Sequence, residues 1–145
     1  MKLADHPRMP PVGALMTPFP HTAEVDTPVS DVLARMEAED FRHLPVVREG
    51  ALVGIVSIRD IARRTRWDEE GAPQPLEAHQ VMTPDPYIVE TGEPLATVLR
   101  EMVARKIGTA LVAKRAKLVG ILTLTDICDA FAEVLEARYE PDSVA

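Results

Sequence analysis

Leu52-Val53-Gly54-Ile55-Val56-Ser57-Ile58-Arg59-Asp60-Ile61 and Leu118-Val119-Gly120-Ile121-Leu122-Thr123-Leu124-Thr125-Asp126-Ile127 carry one pattern twice. Each is a short apolar run broken by a glycine, then a hydroxyl residue, then an aspartate three positions on. An apolar run of that length reads as a buried strand, and a hydroxyl followed three residues later by an acid is a variant of the capping box that opens a helix. Extended in both directions without a gap, the match places Met16-Thr17-Pro18 on Met82-Thr83-Pro84, Pro28 on Pro94, Val32-Leu33 on Val98-Leu99, Met36 on Met102 and Val46 on Val112. Roughly 17 of about 49 aligned positions are identical, so the chain is an internal duplication with a period of about 66 residues.

Each copy reads as β-α-β-β-α. In the first, Thr27 as N-cap and Pro28 at the first helical position start a helix with the stripe Val29, Val32, Leu33 and Met36. Strands over 43–47 and 52–57 come next, joined by a turn at Arg48-Glu49-Gly50, and a helix over 57–66 closes the unit with Ser57 as its cap. In the second, Leu95, Val98, Leu99 and Met102 form the stripe, with strands near 109–113 and 118–123. A last helix runs to about residue 138 with Ile127, Phe131, Val134 and Leu135 on one face. The division expected is a tail over 1–11, a first repeat over 12–66, a linker over 67–78 containing Gly71, Pro73 and Pro75, a second repeat over 79–138 and a tail over 139–145. Neither unit has enough apolar surface to stand comfortably alone, so the two are expected to pair and leave a cleft between them.

With 145 residues, 46% of them apolar and 27% charged, the chain reads as soluble and globular. The longest apolar runs are too short to span a bilayer, residues 1–11 hold no apolar signal core, and a cytoplasmic location is expected, with no membrane insertion. The single Cys128 has no intramolecular partner and suits a reducing compartment. A net charge of -7 argues against nucleic acid as a main partner, because phosphate-backbone binding needs a concentrated basic face. The cations are nevertheless clustered, at Arg59, Arg63, Arg64 and Arg66 and at Lys114, Arg115 and Lys117. A solvated helix end and a charged hairpin turn account for most of them, and a small anionic ligand is still compatible with the pattern.

The usual catalytic signatures are missing: no phosphate loop, no G-x-G-x-x-G, no H-E-x-x-H and no G-x-S-x-G. His6, His21, His43 and His79 have no metal-ligand spacing, so neither an enzyme nor a metal site is expected. The chemistry points instead to the two strand-to-helix junctions. A hydroxyl and free amides at a helix start suit a phosphate, and an aspartate there can accept hydrogen bonds from neighbouring ribose hydroxyls. The alternative is that Ser57 and Thr123 only cap helices while Asp60 and Asp126 only offset the dipole.

Met-Thr-Pro, the strand Arg42-His43-Leu44-Pro45-Val46-Val47 and the doubled Gly-h-h-Ser/Thr-x-x-Asp (h apolar), in this order, resemble a tandem pair of CBS domains, the regulatory units named after cystathionine β-synthase. The resemblance covers residues 12 to 138. It implies an α/β (α+β) fold of two β-α-β-β-α repeats packed in pseudo-twofold symmetry with an inter-repeat cleft. It also implies binding of an adenosine derivative there, and dimerisation. Residue by residue, it assigns Asp60 and Asp126 to ribose, and Ser57, Arg59, Thr123 and Thr125 to phosphate or ribose oxygens. Thr22-Ala23 and Ile88-Val89 match positions whose backbone and side chains border adenine, and Arg42 and His43 match a pair that faces phosphates. Pro45 matches a pocket wall. The second copy departs with Gly108 and Thr109, leaving Lys106 as its nearest cation.

The expectation is a non-catalytic sensor module that takes AMP, ADP or ATP, with or without Mg, and less readily S-adenosylmethionine, with no cofactor required. It is expected to be a homodimer acting on an enzyme or transporter. The alternative is a ligand-independent dimerisation or docking module. The stripes Val29, Val32 and Met36 and Leu95, Val98 and Met102 are the candidate dimer contacts.

Overall fold

The computed structural model describes residues 3–141, 143 and 144. Met1, Lys2, Asp142 and Ala145, parts of the two expected tails, lie outside the described residues. In chain order the elements are β1 (Thr17–Pro18), β2 (Ala23–Glu24), α1 (Val29–Glu39), β3 (His43–Arg48), β4 (Ala51–Ser57), α2 (Ile58–Arg64), α3 (Ala78–Val81), β5 (Thr83–Pro84), β6 (Ile88–Glu90), α4 (Leu95–Arg105), β7 (Thr109–Lys114), β8 (Lys117–Thr123) and α5 (Leu124–Arg138). Single turns of 3-10 helix lie at Leu3–Asp5 and Val12–Ala14.

The chain forms two compact units that do not keep to chain order. One is His21–Pro86; the other joins the residues up to Pro20 to Tyr87 and everything after it. The sheet of the first runs β2-β3-β4-β5 and that of the second β1-β8-β7-β6. Each sheet is centred on an antiparallel hairpin, with a parallel strand on one side and an antiparallel two-residue strand on the other. That two-residue strand is the Met-Thr-Pro segment of the other copy: Thr17 faces Ile121 and Pro18 faces Gly120, while Thr83 faces Ile55 and Pro84 faces Gly54. Proline has no amide hydrogen to give, so Thr-Pro suits a sheet edge and stops the sheet there.

The hairpins form where the alternation predicts them. Their two-residue turns, Glu49-Gly50 and Arg115-Ala116, have positive φ at both positions, the handedness that matches strand twist. The helix starts differ from expectation. Pro28, not Thr27, is the N-cap of α1, and no side chain caps it. The Val29 amide, which has no partner within the helix, instead donates to the Leu76 carbonyl at 2.8 Å, and Ala78 donates to the Thr27 carbonyl at 2.8 Å. Pro94 caps α4 in the same way, and Leu95 donates to the Pro10 carbonyl at 2.9 Å. An incoming backbone segment thus does at α1 what the Thr27 hydroxyl was expected to do, another does the same at α4, and the segment before α3 is tied down by these hydrogen bonds.

The stripes of α1 and α4 are core. Val29, Val32 and Met36 are buried, as are Leu95, Val98 and Met102, and the latter pack with Val12, Val89, Val112 and Leu122. They are therefore unavailable to a second copy, which corrects the expected dimer contact. The face of α5 is the reverse case: only Ala130 is buried, Phe131 is 61% and Leu135 41% exposed, and Leu124 is 56% exposed.

Gly54 and Gly120 are where the returning segments cross. A Cβ on Gly120 would run into the Met16 thioether and come within 2.9 Å of the Thr17 carbonyl oxygen; on Gly54 it would meet Met82 and lie 3.0 Å from the Thr83 oxygen. Gly54→Ala and Gly120→Ala are expected to cost about 1–3 kcal/mol, a fall in Tm of several degrees in thermal unfolding. Gly92→Ala meets nothing within 4 Å and is the control that should leave Tm unchanged.

Candidate functional site

In the His21–Pro86 unit, β3 and β4 end side by side, with His43 paired to Ser57. The Ile58 amide donates to the Arg42 carbonyl at 3.0 Å, which anchors the start of α2 beside the basic pair. Ser57 caps α2: its Oγ accepts the Asp60 amide at 3.0 Å, and Asp60 Oδ2 accepts the Ser57 amide at 3.0 Å. Arg42, His43, Ser57, Arg59 and Asp60 are thereby brought to one corner, with Arg42 and Arg59 exposed and the other three half-buried. The cap uses one carboxylate oxygen of Asp60. A carboxylate can accept about four hydrogen bonds, so the group keeps most of its capacity.

The remaining first-copy residues sit further back. Thr22 offers its carbonyl to Arg35 Nη1 at 2.8 Å, and Ala23 is buried opposite Val46 on β2. Pro45 is buried opposite Ile55. Their side chains build the unit more than they reach outward.

The other unit repeats the corner with different chemistry. Thr109 pairs with Thr123, the Leu124 amide donates to the Gly108 carbonyl at 3.0 Å, and Thr123 caps α5. Here Asp126 Oδ2 accepts both the Thr123 amide at 2.9 Å and the Thr123 hydroxyl at 3.1 Å, while Oδ1 accepts the Thr17 hydroxyl at 2.9 Å. Three of its acceptor positions are occupied. Thr125 is exposed beside it, and Lys106 is exposed in the left-handed position that ends α4. Ile88 is partly exposed at the start of β6, whereas the Val89 side chain is consumed by the core and leaves only backbone to border a ligand.

Thr17 is the site residue that sequence reasoning does not assign. It reaches Asp126 across 109 positions through the β1–β8 pairing, and only the repetition of Met-Thr-Pro hints at a role.

The first corner holds two exposed guanidinium groups, Arg42 and Arg59, where the second has Gly108 and Thr125. His43 titrates below its ordinary 6.5, chiefly because burial disfavours the charged ring; the Asp60 carboxylate pulls it up, and the Arg42 guanidinium pushes it further down. A bound phosphate would add a negative charge and raise it. Among the described residues, no group of three His, Cys, Asp or Glu side chains is placed to hold a metal ion, and no helix is long and apolar enough to cross a membrane.

Two mixed units, each with a capped strand-to-helix corner, define the class of protein, and the comparisons agree. The family model for the CBS domain matches residues 12–66 and again 78–133. The chain belongs to the CBS domain family. A CBS domain-containing protein of Dictyostelium discoideum is 28% identical over 86% of this chain and 93% of its own length. Among solved structures, the CBS domain pair of the protein MJ0100 in complex with 5′-methylthioadenosine and S-adenosyl-L-methionine superposes with a TM-score of 0.72 at 25% identity, covering 86% of this chain and 98% of that one. The CBS domain of a bacterial CNNM/CorC family Mg2+ transporter in complex with ATP gives 0.71 at 25% identity, covering 86% and 88%. The mixed α+β architecture with two four-stranded sheets is that of these CBS pairs.

The shift of His43 has a stability consequence. The folded state keeps the ring neutral to lower pH than the unfolded chain does, so the stability linked to it is complete above pH 6.5 and is lost as pH falls from there toward the folded midpoint. Proton-detected titration of the ring should give a midpoint below 6.5, and His43→Gln should flatten part of the loss of Tm between neutral and mildly acid pH. A midpoint at or above 6.5 contradicts the burial argument.

Proposed function

We propose that the protein is a non-catalytic regulatory module that binds an adenosine ligand, AMP, ADP or ATP ahead of S-adenosylmethionine, at the strand-to-helix corners. The observation that carries this is the first corner, whose backbone the second repeats: Asp60 is a capping aspartate with acceptor capacity to spare, next to the exposed cations Arg42 and Arg59. Ribose is a donor of two adjacent hydroxyls, and Asp60 offers matching acceptors; Arg42 and Arg59 stand where phosphates need neutralising, with the neutral His43 ring beside them as a hydrogen-bonding group. The bound ligands of the two superposed CBS structures have adenosine in common and differ in the group attached at its 5′ carbon. That common part supports the ribose assignment more strongly than any phosphate count, and it leaves a magnesium ion with ATP as a companion of the ligand rather than a resident group.

The two corners differ in occupancy. Asp126 already serves Thr123 and Thr17, and its neighbours Gly108, Thr109 and Thr125 carry no charge. The first corner is therefore the phosphate-sensitive one, and Lys106 is the only candidate for that work in the second.

Calorimetric titration tests this. Asp60→Ala should weaken AMP and ATP by about ten- to a hundredfold, the loss of one or two charge-assisted hydrogen bonds, while also costing the α2 cap about 1 kcal/mol. Asp126→Ala should weaken a second, weaker event. Arg59→Ala should remove the advantage of ATP over AMP and leave adenosine unaffected. Unchanged affinity in both aspartate variants would end the ribose assignment.

A homodimer is the second part of the proposal, and its surface is α5 rather than the stripes of α1 and α4. Leu124, Phe131 and Leu135 expose apolar area along one helix, which a lone globular unit normally covers. Phe131→Lys should shift the mass in light scattering from twice 15.9 kDa toward 15.9 kDa without lowering Tm, whereas Val32→Ala should lower Tm by leaving a cavity and spare the assembly. A wild-type mass of 15.9 kDa with and without nucleotide removes the dimer and leaves α5 as a docking face for a regulated enzyme or transporter.

A further inference from the structure

We propose that the His21–Pro86 unit carries a second ligand site, for a small organic anion with an apolar body, in a groove walled by α1, α2 and the segment from Trp67 to Leu76. The groove encloses about 610 Å³, the size of a small-molecule pocket, and its wall is apolar: Leu33 of α1, Ile58, Ile61 and Ala62 of α2, and the indole of Trp67 are its main surfaces. A second, basic hollow adjoins it. Arg63, Arg64 and Arg66 line that hollow, and the two share Thr65, Gln74 and Leu76 as a common wall. An apolar trough opening onto three guanidinium groups matches a ligand with a flat or aliphatic body and one anionic end.

Three further observations point the same way. Trp67, the chain's single tryptophan, is 65% exposed, although an indole gains more than almost any side chain from being covered. Among the described residues no carboxylate lies within ion-pair distance of Arg63, Arg64 or Arg66; Arg64 alone is engaged, giving Nη1 to the Met82 carbonyl at 3.2 Å. The positions equivalent to Arg63-Arg64-Thr65-Arg66-Trp67 in the other copy are Asp129-Ala130-Phe131-Ala132-Glu133, so the charge is reversed there and the indole is gone. Whatever the arginines serve, it belongs to one unit only.

The probe is 8-anilinonaphthalene-1-sulfonate, an aromatic body with one sulfonate, set against the uncharged N-phenyl-1-naphthylamine. Because Trp67 is the only tryptophan, energy transfer from it reports dye held near this unit, and its loss when Ala62 is enlarged assigns the dye to the groove. Transfer is expected with the wild type. The double variant Arg63→Ala, Arg66→Ala should weaken the sulfonate about fivefold or more and leave the neutral dye unchanged. Ala62→Phe, which fills the trough from an exposed helix position, should abolish both. Neither variant should alter the affinity for ATP, and Asp60→Ala should retain the dye, so this site and the nucleotide corner stand or fall separately. Dye binding without transfer, or an affinity indifferent to the two arginines, overturns the proposal. So does a light-scattering mass that falls on Ala62→Phe with dye bound only to the dissociated form, since the groove would then be a contact between copies of the chain. The arginine variant lies on the surface and keeps the test decisive if Ala62→Phe fails to fold.

Discussion

The pairing of Thr17–Pro18 with β8 and of Thr83–Pro84 with β4 is the constraint on which the rest of the structure depends. Each pairing is only two residues long, yet each completes a four-stranded sheet with chain from the other copy. It is possible because Gly54 and Gly120 present no Cβ where Met82 and Met16 cross them. The crossings have two effects. The segments just before them donate or accept the backbone hydrogen bonds that start α1 and α4, replacing the side-chain caps that those helices lack. And the crossing of residue 17 delivers a hydroxyl to Asp126.

That delivery separates two corners that share a backbone. A carboxylate in a capping box has two duties, satisfying the amide of its own N-cap and holding whatever arrives from outside. Asp60 spends little of its capacity on the first, while Asp126 spends most of its own on Thr123 and Thr17. On the proposed reading a helix cap and a ligand acceptor reside in one side chain, so that replacing it costs both stability and binding.

What the sequence shows and what it hides divide along the range of the interaction. The hairpins, the Ser57 and Thr123 caps and the α1 and α4 stripes are local patterns with a period of 2, 3 or 3.6, and all stand in the structure within a residue or two of where the pattern puts them. The N-cap of α1 escapes such reading because Thr27-Pro28 has the local form of a side-chain cap, and the competitor that displaces it, the Leu76 carbonyl, arrives from 47 positions away in the chain. The exchange of Met-Thr-Pro segments leaves no local mark at all beyond its repetition. Periodicity also measures which face of a helix is apolar, never what covers it. The stripes of α1 and α4 and the stripe of α5 read alike, yet the first two are largely core, while in the third Ile127 packs inward and Phe131 and Leu135 face solvent.

The duplication has kept its backbone and let its surfaces diverge. Helix α2 carries Arg59, Arg63 and Arg64 with Asp60, whereas α5 carries Asp126, Asp129, Glu133 and Glu136 with Arg138. In a chain of net charge -7 the general field repels anions, so a small anion is drawn in only where cations are gathered. The α2 side of the first copy is such a place, with Arg42, Arg59 and the half-buried His43 at one end of the helix and the three-arginine hollow at the other. The acidic α5, with its apolar residues uncovered, suits contact with protein instead. On the proposed reading one unit turns toward small anions and the other toward a protein surface, a division of labour that two identical repeats could not supply and that needs no change in fold.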